Sequence, residues 1–437
     1  MRYVFKRCAG LDIHKRTVVA CRVQVEEQGE LVTETKTFGT MTAELLQLSD
    51  WLSQWEVSHV AMESTGDYWK PVFNLLEGDY EVLLVNAQHV KHVPGRKTDV
   101  HDAEWLGELL VYGLLKPSFI PPKPQRDLRD LTRYRTKLVQ ERARVVNRVQ
   151  KLLENANIKL ASVATDVLGV SGRRMLTALV DGESDPETMA ELAKGRLRNK
   201  IPELRKALNG VVDAHHRFLL AQQLSHIDFL DEQIDDINAE IGRRLESMSK
   251  PPHSDNDAAM QQNAEDDEAS EMLSWQHAVD ITDSLPGVNE RAATAILAEI
   301  GIDMNQFPSA DHLSAWGGLA PGNHQSGGKR YSGRTRKGSR QLRTLMVQAA
   351  WSAVRVKDSY ANALYHRLVG RRGKKRAIVA VARSLLVSLY HMLSKQELYE
   401  DLGADYFDNR RKEDKVDRLT RQLAKLGFTV HIEPIAA

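Results

Sequence analysis

Along the first hundred residues, apolar positions first alternate with polar ones and then recur at threes and fours. "YVFKRCAGLDIH", "TVVACRVQVEE" and "ELVTETKTFGT" carry the alternation of β-strands, and the last two are joined by the turn signal "EQGE". "MTAELLQLSDWLSQW" switches to helical spacing, with Thr42 expected to cap the helix that carries Leu45, Leu46 and Leu48. "HVAMEST" predicts a short buried strand, "YWKPVFNLLEG" a helix closed by glycine, and "YEVLLVNAQHV" another strand. "KTDVHDAEWLGELLVYGLL" returns to a helical stripe, so the order is βββαβαβα.

Beyond the breaker "PSFIPPKPQ", the pattern becomes one of long polar helices. Residues 126–160 and 213–247 carry apolar side chains at threes and fours among many Arg and Glu, which predicts a helical hairpin or coiled coil over 126–248. Residues 249–273 are acidic and poor in large apolar side chains, the composition of a disordered linker. A mostly helical unit is expected over 274–395, followed by a charged tail, 396–437, that ends in one more helix.

The order of the first eight elements fits an α/β ribonuclease H-like domain over 1–125: a three-stranded antiparallel meander, then parallel strands with crossover helices. The predicted architecture is therefore that domain, a central helical coiled coil and a mostly α C-terminal domain. A length of 437 residues accommodates two or three such cores.

Composition changes this picture at two points. The net charge of +1 conceals a strong asymmetry: residues 322–376 hold fifteen Lys and Arg against one acid, Asp358. Residues 249–271 hold seven acids against one Lys. The basic segment calls for a polyanionic partner. The two cysteines, Cys8 and Cys21, lie in strand-like stretches and read as buried thiols of a reducing compartment, with no zinc-type spacing. There is no signal-peptide core and no run of eighteen apolar residues, so a cytoplasmic protein without a membrane partner is expected.

Four carboxylates stand at telling positions. Asp12 lies on the first strand in "GLDIHKRT", and Glu63 at the end of the fourth in "AMESTGDYW". Asp99 and Asp102, in "KTDVHDAEW", are three apart and share one helix face. In the predicted sheet the first and fourth strands are neighbours and a later helix crosses their carboxyl ends, so the four acids would converge. Like charges at close range raise one another's pKa, and divalent cations relieve that repulsion. Oxygen ligands suit Mg²⁺, with Mn²⁺ the alternative, and two ions about 4 Å apart would clamp both oxygens of a phosphodiester displacement. Taken singly, each acid is also an ordinary cap or solvated residue. His14 and His101 flank the acids and read as surface histidines.

In the C-terminal half, "SLPGVNERAATAILAEIG" has the form of a helix-hairpin-helix. Its turn at Gly287 and Val288, with Asn289 capping the next helix, would grip a backbone phosphate without reading bases. A plain turn between two helices is the alternative. Next comes "GNHQSGGKRYSGRTRKGSRQLR", a basic loop with two serines, Ser326 and Ser332, and no carboxylate. Lys329, Arg330, Arg334, Arg336, Lys337, Arg340 and Arg343 would contact phosphates, and Gly327 would let the backbone approach closely.

These halves, in this order, resemble the IS110 family of transposases, the DEDD-type recombinases of bacterial insertion sequences. The resemblance rests on "GLDIHK", "MESTGDYW", "KTDVHDAEWL", "LPGVNERAATAILAEIG", "AWGGLAPGNHQSGGK" and "KGSRQLRTLMVQAA", and it spans nearly the whole chain apart from the coiled coil and acidic linker. It implies a RuvC-like first domain whose four acids fall on Asp12, Glu63, Asp99 and Asp102. It also implies an essential serine, which falls on Ser326, followed by Gly327. Further implications are DNA partners (element ends and target), a structured noncoding guide RNA encoded by the element, and homodimers that join into tetramers. One departure is Ser339, where the pattern has Asn.

The expected chemistry is attack of Ser326 Oγ on a DNA phosphate, assisted by Mg²⁺ on the four acids. His324, two residues away, is a candidate proton acceptor or a solvated loop histidine. Two other classes compete: a hydrolytic RuvC-like nuclease or junction resolvase using the same acids, and a non-catalytic nucleic-acid-binding scaffold.

Overall fold

The computed structural model describes residues 3–64, 66–85, 99–249, 273–322, 324–335, 337–409 and 412–429. The chain forms two compact units, Met1–Pro121 and Pro122–Ala437.

The first unit is built on a five-stranded sheet with spatial order β3-β2-β1-β4-β5. β1 (Arg7–Ile13), β2 (Thr17–Val25) and β3 (Leu31–Gly39) form the antiparallel meander. β4 (His59–Glu63) and β5 (Glu81–Val85) add in parallel through helices α1 (Thr42–Ser53) and α2 (Trp69–Leu76). This is the mixed sheet expected of a ribonuclease H-like domain. Alternate residues of β1 serve two cores. Ala9, Leu11 and Ile13 pack with Leu48, Trp51 and Val72 from α1 and α2. Cys8 faces the other side with Cys21, Ala103 and Leu110. Both thiols are buried and free, and burial pushes Cys8 up to about 12 and Cys21 up to about 11, so neither ionises near neutral pH.

Helix α3 (Asp99–Val111) covers that second face. It runs antiparallel to β1: the Val4 amide donates to Val111 O (2.8 Å) at one end, and Gly10 lies under Ala103 further along. The approach is as close as a helix and a strand can make. A Cβ on Gly10 would stand 2.2 Å from Ala103 O and 2.5 Å from Gly107 N. Both atoms are backbone and cannot swing aside.

In the second unit, α4 (Lys123–Asn155) and α5 (Ala214–Ser249) form the long hairpin. Leu138, Val145, Val149 and Leu153 interleave with Leu220, Leu224, Ile227 and Leu230, and the Arg142–Asp231 ion pair ties the two helices beside them. Between them, residues 157–213 fold into short helices whose Leu160, Met175, Leu176, Met189 and Leu204 extend the same core. At its other end the hairpin shares a core with the C-terminal helices: Leu128, Ile241 and Leu245 pack with Trp275, Ile296, Leu342 and Leu386. The expected separation of hairpin and C-terminal domain is thus bridged by one continuous core. The acidic segment lies outside the described residues.

The C-terminal helices are α6 (Trp275–Asp283), α7 (Glu290–Ile300), α8 (Ala310–Trp316), α9 (Arg340–Ala353), α10 (Tyr360–Arg372), α11 (Lys374–Lys395) and, after a four-residue turn of helix, α12 (Lys412–Lys425). α11 is long and apolar enough to cross a membrane by composition, but Ile378, Val381, Leu385, Leu386 and Leu389 lie in the protein's own core. Two local readings are corrected. Met41, not Thr42, is the α1 N-cap, because the Glu44 carboxylate reaches back to the Met41 amide (3.2 Å). The glycine-serine segment is not a loop but a β-hairpin, β6 (His324–Ser326) and β7 (Lys329–Ser332).

The contact at Gly10 gives a direct test. Gly10→Ala should destabilise the first unit by about 2–3 kcal/mol, because the methyl group must displace backbone. Denaturant unfolding followed by hydrogen exchange should locate the loss in β1 and α3 and leave the second unit's protection unchanged.

Candidate active site

The sheet register sets the candidate site of the first unit. β1 and β4 pair in parallel with Leu11 opposite Met62, which carries Asp12 to the level of Glu63 at the carboxyl ends of two neighbouring strands. Leu11 and Met62 face α1 and α2, so by alternation Asp12 and Glu63 belong to the face covered by α3. Asp12 is 8% exposed and Glu63 is half-buried. Ala103 sits over Gly10, and α3 rises toward the carboxyl end of β1. Two residues of strand and four of helix each climb about 6 Å, so Asp99, the first residue of α3, comes level with Asp12. Asp102 is half-buried next to Ala103. The fold therefore brings all four positions to one end of the sheet.

Asp12 has a partner that sequence reading missed. His14 Nε2 lies 3.1 Å from Asp12 Oδ2, with the imidazole 46% exposed. The signal was present, since residues two apart on a strand share a face. Among the described residues, no group of three or more His, Cys, Asp or Glu side chains stands close enough to hold a metal ion. The donor set still fits a hard divalent cation: a carboxylate with almost no water access at Asp12, and a second at the same level on the adjacent strand.

A separate candidate site, in the second unit, is the ribbon that carries Ser326. Gly327 (φ +55°) and Gly328 (φ +75°) are both left-handed, which makes "SGGK" a two-residue hairpin turn with Ser326 paired across it to Lys329. Pairing continues through Gln325 with Arg330 and, past an irregularity, His324 with Ser332. The stem closes where the Gly322 amide donates to Arg334 O (2.8 Å) and Pro321 bridges Thr335. A Cβ at either tip glycine would meet nothing within 4 Å, and Lys329 is exposed. The tip projects.

Several of the remaining predicted contacts lie near this ribbon. Arg334 and Lys337 are exposed near its base, and Arg340 is the exposed first residue of α9. Arg343, one turn on, donates from Nη1 to Thr335 Oγ1 (3.0 Å) and so braces the stem. Arg330 lies in β7, and Arg336 lies outside the described residues. Gly287 (φ +80°) and Val288 form the turn between α6 and α7, with Asn289 accepting from the Ala292 amide (3.0 Å). The Gly287 face where a side chain would stand is pressed onto α9, 2.3 Å from Ala349 O by the same Cβ measure.

Beneath the ribbon lies a buried carboxylate that the sequence reading also passed over. Glu299 is 1% exposed at the end of α7 and is held by Arg133 of α4 through two parallel bonds of 2.6 and 2.9 Å. Arg129 Nε and Nη2 donate to the Ala298 and Glu299 carbonyls at 3.0 and 2.6 Å, and Gln125 Nε2 also donates to Ala298 O (3.2 Å). Burial lowers the Arg129 guanidinium to about 10, against the opposing influence of Glu299, so it stays charged at neutral pH. A charged residue among Ile296, Leu297, Ala298 and Ile300, all in the core, was the available signal.

The tip geometry predicts which side chains residue 327 accepts. Gly327→Asn, which tolerates the left-handed region, should keep the cross-strand amide protection of Gln325 and Arg330. Gly327→Val should lose it, by about tenfold or more in exchange rate, with no change in the unfolding midpoint.

A family model described as transposase, the DEDD type of IS110, matches residues 9–158. A second, described as transposase IS116/IS110/IS902 family, matches residues 279–366, and together they cover more than half of the chain. The transposase for insertion sequence element IS1111A of Coxiella burnetii is 26% identical over 399 residues, 89% of this chain and 90% of its own length. A probable family 20 transposase of Pseudomonas aeruginosa is 27% identical over 364 residues, covering 81% of this chain and 89% of that protein. An uncharacterized 42 kDa protein of insertion element IS900 from Mycobacterium paratuberculosis is 26% identical over 348 residues, 73% of this chain and 80% of its own. With a DEDD-type sheet domain in its first unit and the matching C-terminal region in its second, the chain belongs to the IS110 family of transposases, enzymes that act on DNA.

Proposed function

We propose that this transposase cuts and rejoins element and target strands by transesterification through Ser326. The observation that carries the reading is the ribbon: a hairpin tip with two left-handed glycines and an exposed Lys329 across from Ser326, rooted among exposed cations. A narrow projecting tip can reach a phosphodiester, and Lys329, Arg330, Arg334, Arg336, Lys337, Arg340 and Arg343 bind the flanking phosphates. Gly327 at the tip and the backbone of Gly287 and Val288 give the chain further close approaches to the sugar-phosphate chain.

Asp12, Glu63, Asp99 and Asp102 are the residues that would hold a divalent metal such as Mg²⁺, a metal use that DEDD membership implies. When bound, the cation would supply Lewis-acid stabilisation of charge on the phosphate and departing oxygens. The carboxylates present hard oxygen donors at the strand ends, and burial of Asp12 keeps bulk water from that donor. His14 orients the Asp12 carboxylate. In the strand-transfer step, the Ser326 Oγ–phosphorus bond forms as a deoxyribose oxygen–phosphorus bond breaks. The serine proton passes, in net terms, to the departing oxygen. The phosphodiester energy is conserved in the serine ester for rejoining.

Target and donor choice is assigned to a structured guide RNA that pairs with both DNAs, since the fifteen-to-one basic excess of residues 322–376 favours backbone rather than base contacts. The working form is a homodimer that joins into a tetramer. Support comes from the hairpin, where Tyr134, Val139, Phe218 and Phe229 are 40–63% exposed.

Incubation with element-end DNA and Mg²⁺, followed by denaturing electrophoresis, tests the reading. A covalent protein–DNA species should form with the wild type. It should be absent from Ser326→Ala and Asp12→Asn, both of which still bind DNA. Cleavage without a covalent species would replace transesterification by hydrolysis, and binding without cleavage in Mg²⁺ or Mn²⁺ would leave a scaffold.

A further inference from the structure

We infer that Glu299 is a positioning residue for the Ser326 ribbon, holding its base through Ser339 while being itself held by Arg133 of the hairpin. The inference rests on the assignment of Ser326 and adds the device that aims it. Both ends of the ribbon segment converge on the C-terminal end of α8. On the entering side, the Leu319 and Ala320 amides donate to Ser314 O at 2.9 and 3.0 Å. On the leaving side, the Ser339 amide donates to Trp316 O (2.9 Å), and Gly338 is packed so closely that a Cβ would stand 2.3 Å from the same carbonyl. The ribbon is thus anchored at two points on one short helix.

Ser339 does a second job there. Its Oγ accepts from the Leu342 amide (3.2 Å) as the N-cap of α9, and it donates to Glu299 Oε2 (3.2 Å). The same carboxylate takes both Arg133 bonds. A chain of polar contacts therefore runs from α4 of the hairpin, through Glu299, to the residue where the ribbon ends and α9 starts. Glu299 and its serine contact lie at least partly out of water, where such bonds are stronger and an unpaired group is costly. Neither Glu299 nor Ser339 is at the ribbon tip, so they act through the orientation of the stem and not on the phosphate.

The chemistry at Ser339 separates positioning from simple capping. Asp and Asn both accept from the Leu342 amide and cap a helix as well as Ser does. Only Asn also carries a donor for Glu299, whereas Asp places a second carboxylate against it. Ser339→Asn, Ser339→Asp and Ser339→Ala are therefore compared in the full-length protein at a temperature where all three are folded. The readouts are single-turnover cleavage of element-end DNA and hydrogen exchange of the Gly322 amide in the stem. Ser339→Asp and Ser339→Ala should lower the rate at saturating DNA about tenfold, leave half-saturation within about threefold, and speed Gly322 exchange about tenfold. Ser339→Asn should restore both readouts.

The proposal is overturned if Ser339→Asp behaves as the wild type, or if Ser339→Asn is as impaired as Ser339→Ala. Ser326→Ala in the same cleavage assay keeps the two questions apart. If that variant cleaves normally, the serine assignment fails. The Gly322 exchange series then still decides whether Glu299 holds the stem.

Discussion

A carboxylate taken almost wholly out of water must be paired, and in the second unit that requirement organises three segments at once. Glu299 ends α7, Arg133 comes from the long hairpin, and Ser339 opens α9. The Arg133 side chain is 38% exposed, so the pairing matters most to Glu299, which would keep no arginine on its carboxylate oxygens if Arg133 were removed. Arg129 and Gln125 add donors to the α7 carbonyls, where cations and the helix dipole also attract. The hairpin base, the α6–α7 pair and the root of the basic ribbon consequently share one polar junction inside a continuous apolar core. At the ribbon tip, by contrast, a Cβ on Gly327 or Gly328 would meet nothing within 4 Å. A rigid root and an open tip are what a group needs if it is to enter a nucleic-acid backbone at a fixed angle.

The first unit solves a different problem with the same economy. The parallel pairing of β1 and β4 sets Asp12 and Glu63 side by side, and the glycine contact with α3 brings a helix down to the sheet at van der Waals distance. A bulkier residue at position 10 would lift α3 and, with it, Asp99 and Asp102. DEDD membership implies use of a divalent metal, and hard oxygen donors such as Asp12 and Glu63 on neighbouring strands suit one.

Much of this was legible in the residues, and the failures have physical reasons. β1, β2, β4 and β5 were readable as short apolar runs, whereas β3 is mostly exposed and was marked by its alternation and the turn before it. The hairpin helices were readable because thirty-odd residues of helical spacing outvote local noise. The Ser326 ribbon was not: strands of three and four polar residues carry no apolar alternation, and only the "SGGK" glycine pair marked the turn. His14 was passed over because a lone histidine after a strand aspartate is usually solvated, yet alternation puts it on the same face as Asp12. Glu299 was hidden by its apolar neighbours in "AILAEIG", where its partner lies 166 residues away in the chain. Residues 157–213 left no strong pattern because their helices are short and their core is completed by the hairpin. The four acids and Ser326 came from motif order and family resemblance rather than from periodicity.

The central claim is that DNA becomes bonded to one named oxygen. The most direct measurement is mass spectrometry of the protein–DNA species after nuclease and trypsin digestion. Trypsin releases Ser326 in the peptide that ends at Lys329, together with Ser309 and Ser314. The account predicts a residual nucleotide phosphate on Ser326 and on no other residue of that peptide. A nucleotide found on Tyr331, on Ser332 or on another side chain, or cleaved DNA with no modified peptide at all, would contradict it.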